Sequence, residues 1–251
     1  LLFHAPTMQI PQLDVDILFS VIHEASDSAP GLDQWTYHDL QLLPLEALHP
    51  IVDIFTLVEN GAQWPAPMLR AKAHLLSKDP EDTHNPLAYR FLMLTSTLYR
   101  VWARAKLHQI QPWIKMWELE GMFGGLKGKG ADFAWYLTAM DVEASIMKNV
   151  PMAGGAVDLF KCFDQVIRSL LYAVLNIAGI PHSLLTGYIS FHENALVHNN
   201  IAGTLGQAHK HPTGIPQGCP LSMIFVTLYL RAWMVQMSQM GAVPRTLADD
   251  L

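Results

Sequence analysis

Asp249 and Asp250 stand side by side behind a short apolar run in this 251-residue chain, and a third carboxylate, Asp158, closes another apolar run upstream. Carboxylates are hard oxygen donors. Three of them converging from different strands can hold a pair of divalent cations roughly 3.5 to 4 Å apart, an arrangement that transfers phosphoryl groups. Side chains alternate faces along a strand, so adjacent aspartates serve one cluster only if a tight turn brings both to it. A solvated surface turn uses the same dipeptide, and the other segments of the chain have to decide between the two.

Those segments each suit a different physical task. Ala156-Val157-Asp158 ends a predicted buried strand over 153–158, followed by a turn and a helix from about Gln165. Asp158 is thereby expected at a strand end, rigid and exposed together, while Asp164 reads as an N-cap. Gly214-Ile215-Pro216-Gln217-Gly218-Cys219-Pro220-Leu221-Ser222 is a glycine and proline turn opening into a long apolar helix, and such a turn lets backbone approach a ligand. A strand that ends in Lys78 faces another that starts at Tyr89-Arg90. Lys78 as a point charge and Arg90 as a planar fork form a sensible clamp for a triphosphate. Ser28-Ala29-Pro30-Gly31-Leu32-Asp33 lies in a turn between two amphipathic helices, and Gly124 to Gly130 is a flexible basic loop, either a linker or a loop that contacts a nucleic-acid backbone.

In matching order from about residue 17 onwards, these segments resemble the reverse transcriptases of non-LTR retrotransposons and their group II intron relatives. Ser28 to Asp33 resembles the "APGxDG" element, and Lys78 through Arg90 the fingers segment whose Lys and Arg meet the incoming nucleotide. Gly124 to Asp132 is similar to the "GFRxGRSTxD" loop, and Asp158 to Asp164 to the palm "DxxxAFD" motif. Gly214 to Ser222 looks like "GxPQGxxLSP", and Ala248-Asp249-Asp250 like the "YADD" signature. The resemblance implies an RNA-directed DNA polymerase in which Asp158 and Asp249, together with Leu159, hold two magnesium ions, or manganese in their place. Asp250 is implied to be catalytic beside them. Lys78, Arg90, Phe163 and Gln217 are implied to bind substrate, Phe163 by blocking a ribose 2′-hydroxyl and Gln217 near the nucleotide and template. The implied partners are an RNA template, a DNA primer and deoxynucleoside triphosphates. The chain is expected to continue past Leu251 into further palm strands, a thumb and other domains of the same polyprotein.

Several positions depart from the family pattern. Leu247 stands where the family has Tyr or Phe, Phe91 replaces the Pro of "YRPI", Gln34 the second Gly of "PGxDG" and Met223 the Pro of "LSP", while Lys127 and Lys129 stand where Arg is common. None removes a carboxylate, yet they motivate a rival reading, a decayed remnant that only binds RNA or protein. An RNA-templated RNA polymerase is a second rival, and Phe163 argues against it.

The implied fold is α+β: polymerase fingers and a partial palm, without a thumb, with helices packed on a small antiparallel sheet. Helical periodicity is clearest over 13–25, 45–59, 95–118, 132–147, 165–178 and 221–240, and the best strands are 71–77, 89–92, 153–158, 195–199, 204–209 and 243–247. Residues 1–66 read as a helical extension and the start of the fingers, 67–150 as fingers, and 151–251 as an incomplete palm with a fingers-side helical insertion. Trp64-Pro65-Ala66-Pro67 is the expected boundary. A formal charge of −6 weighs against a stand-alone nucleic-acid binder, because phosphate neutralisation needs clustered Lys and Arg. Cys162 and Cys219 suggest neither a zinc knuckle nor a disulfide framework, and no secretory signal is visible, so the expected compartment is intracellular, nucleus or cytoplasm. The apolar stretch 219–230 is too short for a membrane span. His192, His198, His209 and His211 lack a helical metal-ligand spacing, and Trp113, Trp117 and Trp135 read as core residues.

Overall fold

The structure, a computed structural model, describes residues 6–77, 81–82, 84–85, 88–201, 203–248 and 250. Helix α1 (Val15–His23) starts where Asp14 accepts from the Ile17 amide at 2.7 Å, and α2 (Tyr37–Gln41) starts on a reciprocal Thr36–Asp39 capping box. The helix expected over 45–59 divides into a 3₁₀ turn, Leu45–Leu48, and α3 (His49–Glu59), because Pro50 has no N–H to continue one ladder and favours a helix start. The span 95–118 divides likewise into α4 (Thr97–Gln109) and α5 (Gln111–Trp117), with Pro112 in the first turn of the second. Then come α6 (Ala131–Lys148), the one-turn α7 (Cys162–Gln165), α8 (Arg168–Ile177), α9 (His182–Asn194) and α10 (Ser222–Gln239). Sequence periodicity missed α9. Its buried residues, Leu184, Leu185, Gly187, Tyr188, Phe191 and His192, mix sizes and polarity, which blurs the apolar stripe.

Four strands, β1 (Arg70–Ser77), β2 (Tyr89–Leu94), β3 (Leu196–Ile201) and β4 (Thr204–His209), form one sheet in the order β2-β1-β3-β4. The sheet is mixed and not antiparallel as expected. β1/β2 and β3/β4 are antiparallel hairpin pairs, but β3 lies parallel to β1 because the chain between β2 and β3 returns through α4 to α9 as a long crossover. The strands expected over 153–158 and 243–247 reduce to isolated bridges at Asp158, Thr246 and Leu247. Residues 151–158 are exposed and contain Gly154-Gly155, whose entropy opposes an extended strand with so little neighbouring ladder.

The main apolar core draws on residues from Leu13 to Met234, and a small separate cluster of Ala71, Ala73, Met93 and Val197 lies within the sheet. Trp64 sits within the main core, its ring 5.2 to 6.0 Å from those of Phe55, Tyr99, Trp102 and Phe191, and its indole N–H donates to the Gly187 carbonyl at 2.9 Å. The expected boundary segment is therefore fastened into the body of the fold. Trp113 and Trp117 are buried as expected, whereas Trp135 is 74% exposed. It belongs to α6, a helix with apolar residues all round and no buried residue, so most of its apolar positions stay exposed among the described residues. Lys106 and Glu59 form a buried ion pair at 2.7 Å, to which the Trp102 indole adds a hydrogen bond at 2.9 Å. Burial pulls the Lys106 pKa down, and Glu59 opposes that shift. Among the described residues, no helix is long and apolar enough to cross a membrane.

Candidate functional site

Two segments meet at the aspartates. Leu247 and Asp250 exchange backbone hydrogen bonds at 2.9 and 3.0 Å, which closes a hairpin with a two-residue loop. The first loop residue, Ala248, has φ +56°, the sign such loops require and one that a Cβ disfavours. The hairpin is anchored from the other side by Gly121 and Phe123, whose backbones bond both sides of Thr246 at 2.9 Å. Gly124 comes so close that a Cβ there would stand 2.9 Å from the Ala248 nitrogen, and its carbonyl accepts from Thr227 Oγ1 at 2.8 Å. The loop expected to be flexible is packed under the hairpin. Its Lys129 is committed to Glu118 at 2.8 Å, while Lys127 is exposed.

Asp158 pairs with Asp250 through an antiparallel bridge. Residues directly opposed in such a pair project from the same face with Cβ atoms about 4.5 to 5.5 Å apart. The fold thus brings two of the three sequence-predicted carboxylates together, both exposed, and selects Asp250 as the residue facing Asp158. Asp249 lies outside the described residues, as does Lys78. Carboxylates on one exposed face suit a hard divalent cation in donor chemistry. Among the described residues, no group of three or more His, Cys, Asp or Glu is arranged to hold one. Leu159 has only its carbonyl to offer a metal, and that carbonyl already accepts from the Cys162 amide at 3.1 Å.

Past Asp158 the chain turns at Lys161, φ +48°, into α7. Asp164 lies inside this turn of helix and not at its N-cap position, which is Lys161, a correction to its expected role. Lys161 heads α7 and Ile167 heads α8, because the helix begins earlier than the pattern suggested and then breaks. The 214–222 loop is seamed to α7 by two backbone bonds, Gly214 N–H to Val166 and Ile215 N–H to Phe163, each 2.9 Å. Gly214 is obligatory there. Its φ is +79°, and a Cβ would meet the Asp164 backbone at 2.7 Å. Phe163 is buried, with 6% of its surface exposed, and is part of the core. Half-buried Gln217 lines a shallow cleft together with Phe91, Met93, Asp164, His211 and Ile215. Arg90 leaves β2 from the face opposite Phe91 and Met93, so it does not line this cleft.

The amino-terminal turn is a brace. Arg100 donates to Ser28 Oγ and to the Ala29 carbonyl, both at 2.9 Å, and Asp33 accepts from Ser96 Oγ at 2.6 Å and from the Thr97 amide at 3.2 Å. Gln34, where the family pattern has glycine, adopts φ +62°. Two of the histidines make contacts within the fold: His198 with Arg70 and the Gly206 carbonyl, and buried His192 with the Tyr99 hydroxyl at 3.1 Å. Burial, followed by the charge of nearby Arg168, pushes the His192 pKa down to about 3. Arg168 itself was missed by sequence reading. Its signal was available: it shares the buried face of α8 with Leu171 and Leu175.

No protein-family model matches the chain, and no curated protein matches its sequence.

Two predictions follow from this geometry. Gln34→Gly should stabilise the protein by about 1 kcal/mol by relieving a left-handed backbone with a side chain; an unchanged or lowered urea midpoint would refute that strain. His192 is neutral in the folded chain down to about pH 3, whereas the unfolded chain protonates it near pH 6.5. Its contribution is therefore complete above about pH 6.5 and is lost as pH falls, by up to about 1.4 kcal/mol per pH unit. Urea titrations between pH 7.5 and 5 should show a shallower acid slope for His192→Gln than for the parent, and equal slopes would contradict the assignment.

Proposed function

We propose that this chain is the fingers and part of the palm of an RNA-directed DNA polymerase. The reaction joins a deoxynucleoside triphosphate to a primer: the 3′-hydroxyl oxygen bonds to the α-phosphorus and pyrophosphate leaves. The observation that carries the reading is the bridge between Asp158 and Asp250, since residues 92 positions apart meet only through the fold. Asp158 and Asp249 would hold the magnesium ions, with Asp250 beside Asp158. When bound, such a pair of ions supplies Lewis acidity for the attacking and leaving oxygens. Gln217 would contact the nucleotide from the cleft, and Phe163 would support the sugar side from the core.

The sheet answers the objection raised by the net charge. None of its four strands contains Asp or Glu, although the chain as a whole carries a charge of −6. One face bears the cations Arg70, Lys72 and Arg90, with Lys72 opposite the buried His198 and Leu76 opposite Arg90. A local cationic surface of this kind supports contact with a nucleic-acid backbone, which depends on clustered charge more than on the total.

The test is magnesium-dependent primer extension on an RNA template, with the natural protein that contains this chain. Asp158→Ala and Asp249→Ala should each lower extension by about a thousandfold or more while leaving the unfolding midpoint close to that of the parent. Extension retained in both variants would refute the metal assignment. A folded parent that binds RNA without extending a primer would instead support the remnant reading, which the replacement of the family aromatic by Leu247 favours.

A further inference from the structure

Arg168 is buried, with 8% of its surface exposed, at the start of α8, three residues after the end of α7. A guanidinium in such a place is costly to desolvate, and an apolar residue of similar volume would often serve stability better. Its hydrogen bonds explain what the charge achieves. One terminal nitrogen donates to the carbonyl of His192, in the last turn of α9, and the other to the carbonyl of His211, just beyond β4. The ε nitrogen lies 3.6 Å from Glu193, which also accepts from the Tyr172 hydroxyl and offers its carbonyl to Lys210. Arg168 therefore pins the end of α9, just before β3, and the segment just after β4 to α8, the helix that follows α7.

That hairpin leads directly into the Gln217 loop. From His211 the chain runs through Gly214 and Ile215, whose amides bond α7, to Gln217 at the cleft. We infer that Arg168 is a positioning residue which, acting through the 211–217 loop, fixes Gln217 against the incoming nucleotide and so sets nucleotide affinity more than the chemical step. This rests on the polymerase reading above. Lysine cannot reproduce the role, because one ammonium cannot fork to two carbonyls on separate segments.

The test uses Arg168→Lys, which keeps the charge, and Arg168→Met, which keeps much of the volume. Amide exchange is read at Gly214 and Ile215, and single-nucleotide extension gives kcat and KM. In Arg168→Lys, exchange at the two amides should rise about tenfold with α3 and α4 unchanged, and the KM for deoxynucleotide should rise about tenfold with kcat within about threefold. Arg168→Met should show the same pattern, more strongly. Unchanged exchange, or a fall in kcat at constant KM, would overturn the inference while leaving the polymerase reading intact. A parent that never extends a primer would instead count against the polymerase reading, and with it the nucleotide-affinity role, even where the exchange change upholds the loop contact.

Discussion

Two aspartates on directly opposed backbone positions disfavour their own pairing, since like charges across a ladder are destabilising. The rest of the fold has to hold them there. Asp158 and Asp250 contribute little packing, being exposed, and the backbone around them is left-handed at Lys161 and Ala248. Such strain persists only where the surroundings over-determine it. Here the surroundings are the Gly121–Phe123 backbone beneath Thr246, the Thr227 hydroxyl beneath Gly124, and the core that fixes α10.

A second seam joins α7 to the Gln217 loop through backbone amides, with Gly214 as the residue that permits the approach. Backbone bonds suit this task better than side-chain ion pairs, because they fix the separation of two segments without adding charge near a site already rich in carboxylates. The two seams meet in one short stretch, 158–166, which touches the hairpin at one end and the loop at the other. Arg168 extends that stretch to the β3/β4 hairpin.

Most of this was legible in the sequence where local chemistry dominated. β1 and β4 fall on their strand-like runs, within one residue of the expected bounds. Long-range choices were not legible. The parallel β1/β3 pairing depends on a crossover of about a hundred residues, and no local pattern encodes the direction of return. The 153–158 run looked like a buried strand because Ala156 and Val157 lead into Asp158 as apolar residues, yet extended structure needs neighbouring ladders. Trp135 misled for the same reason: an aromatic signals burial only if something arrives to cover it. Asp164 was placed one helix too late because a single turn, α7, leaves no periodicity to read. Of the candidate site, the carboxylates and the Gln217 loop could be found from residue types and order, whereas the facing of Asp158 by Asp250 required the fold.

The central proposal is that Asp158 and the aspartates at 249 and 250 together bind a divalent cation. Titrating the isotopically labelled protein with manganese and following paramagnetic broadening of its amide signals tests this most directly. Val157 to Leu159 and Leu247 to Asp250 should broaden together at the lowest manganese concentrations, and Asp158→Asn should abolish the effect at both segments. Broadening that begins at scattered surface carboxylates, or that survives in Asp158→Asn, would contradict the account.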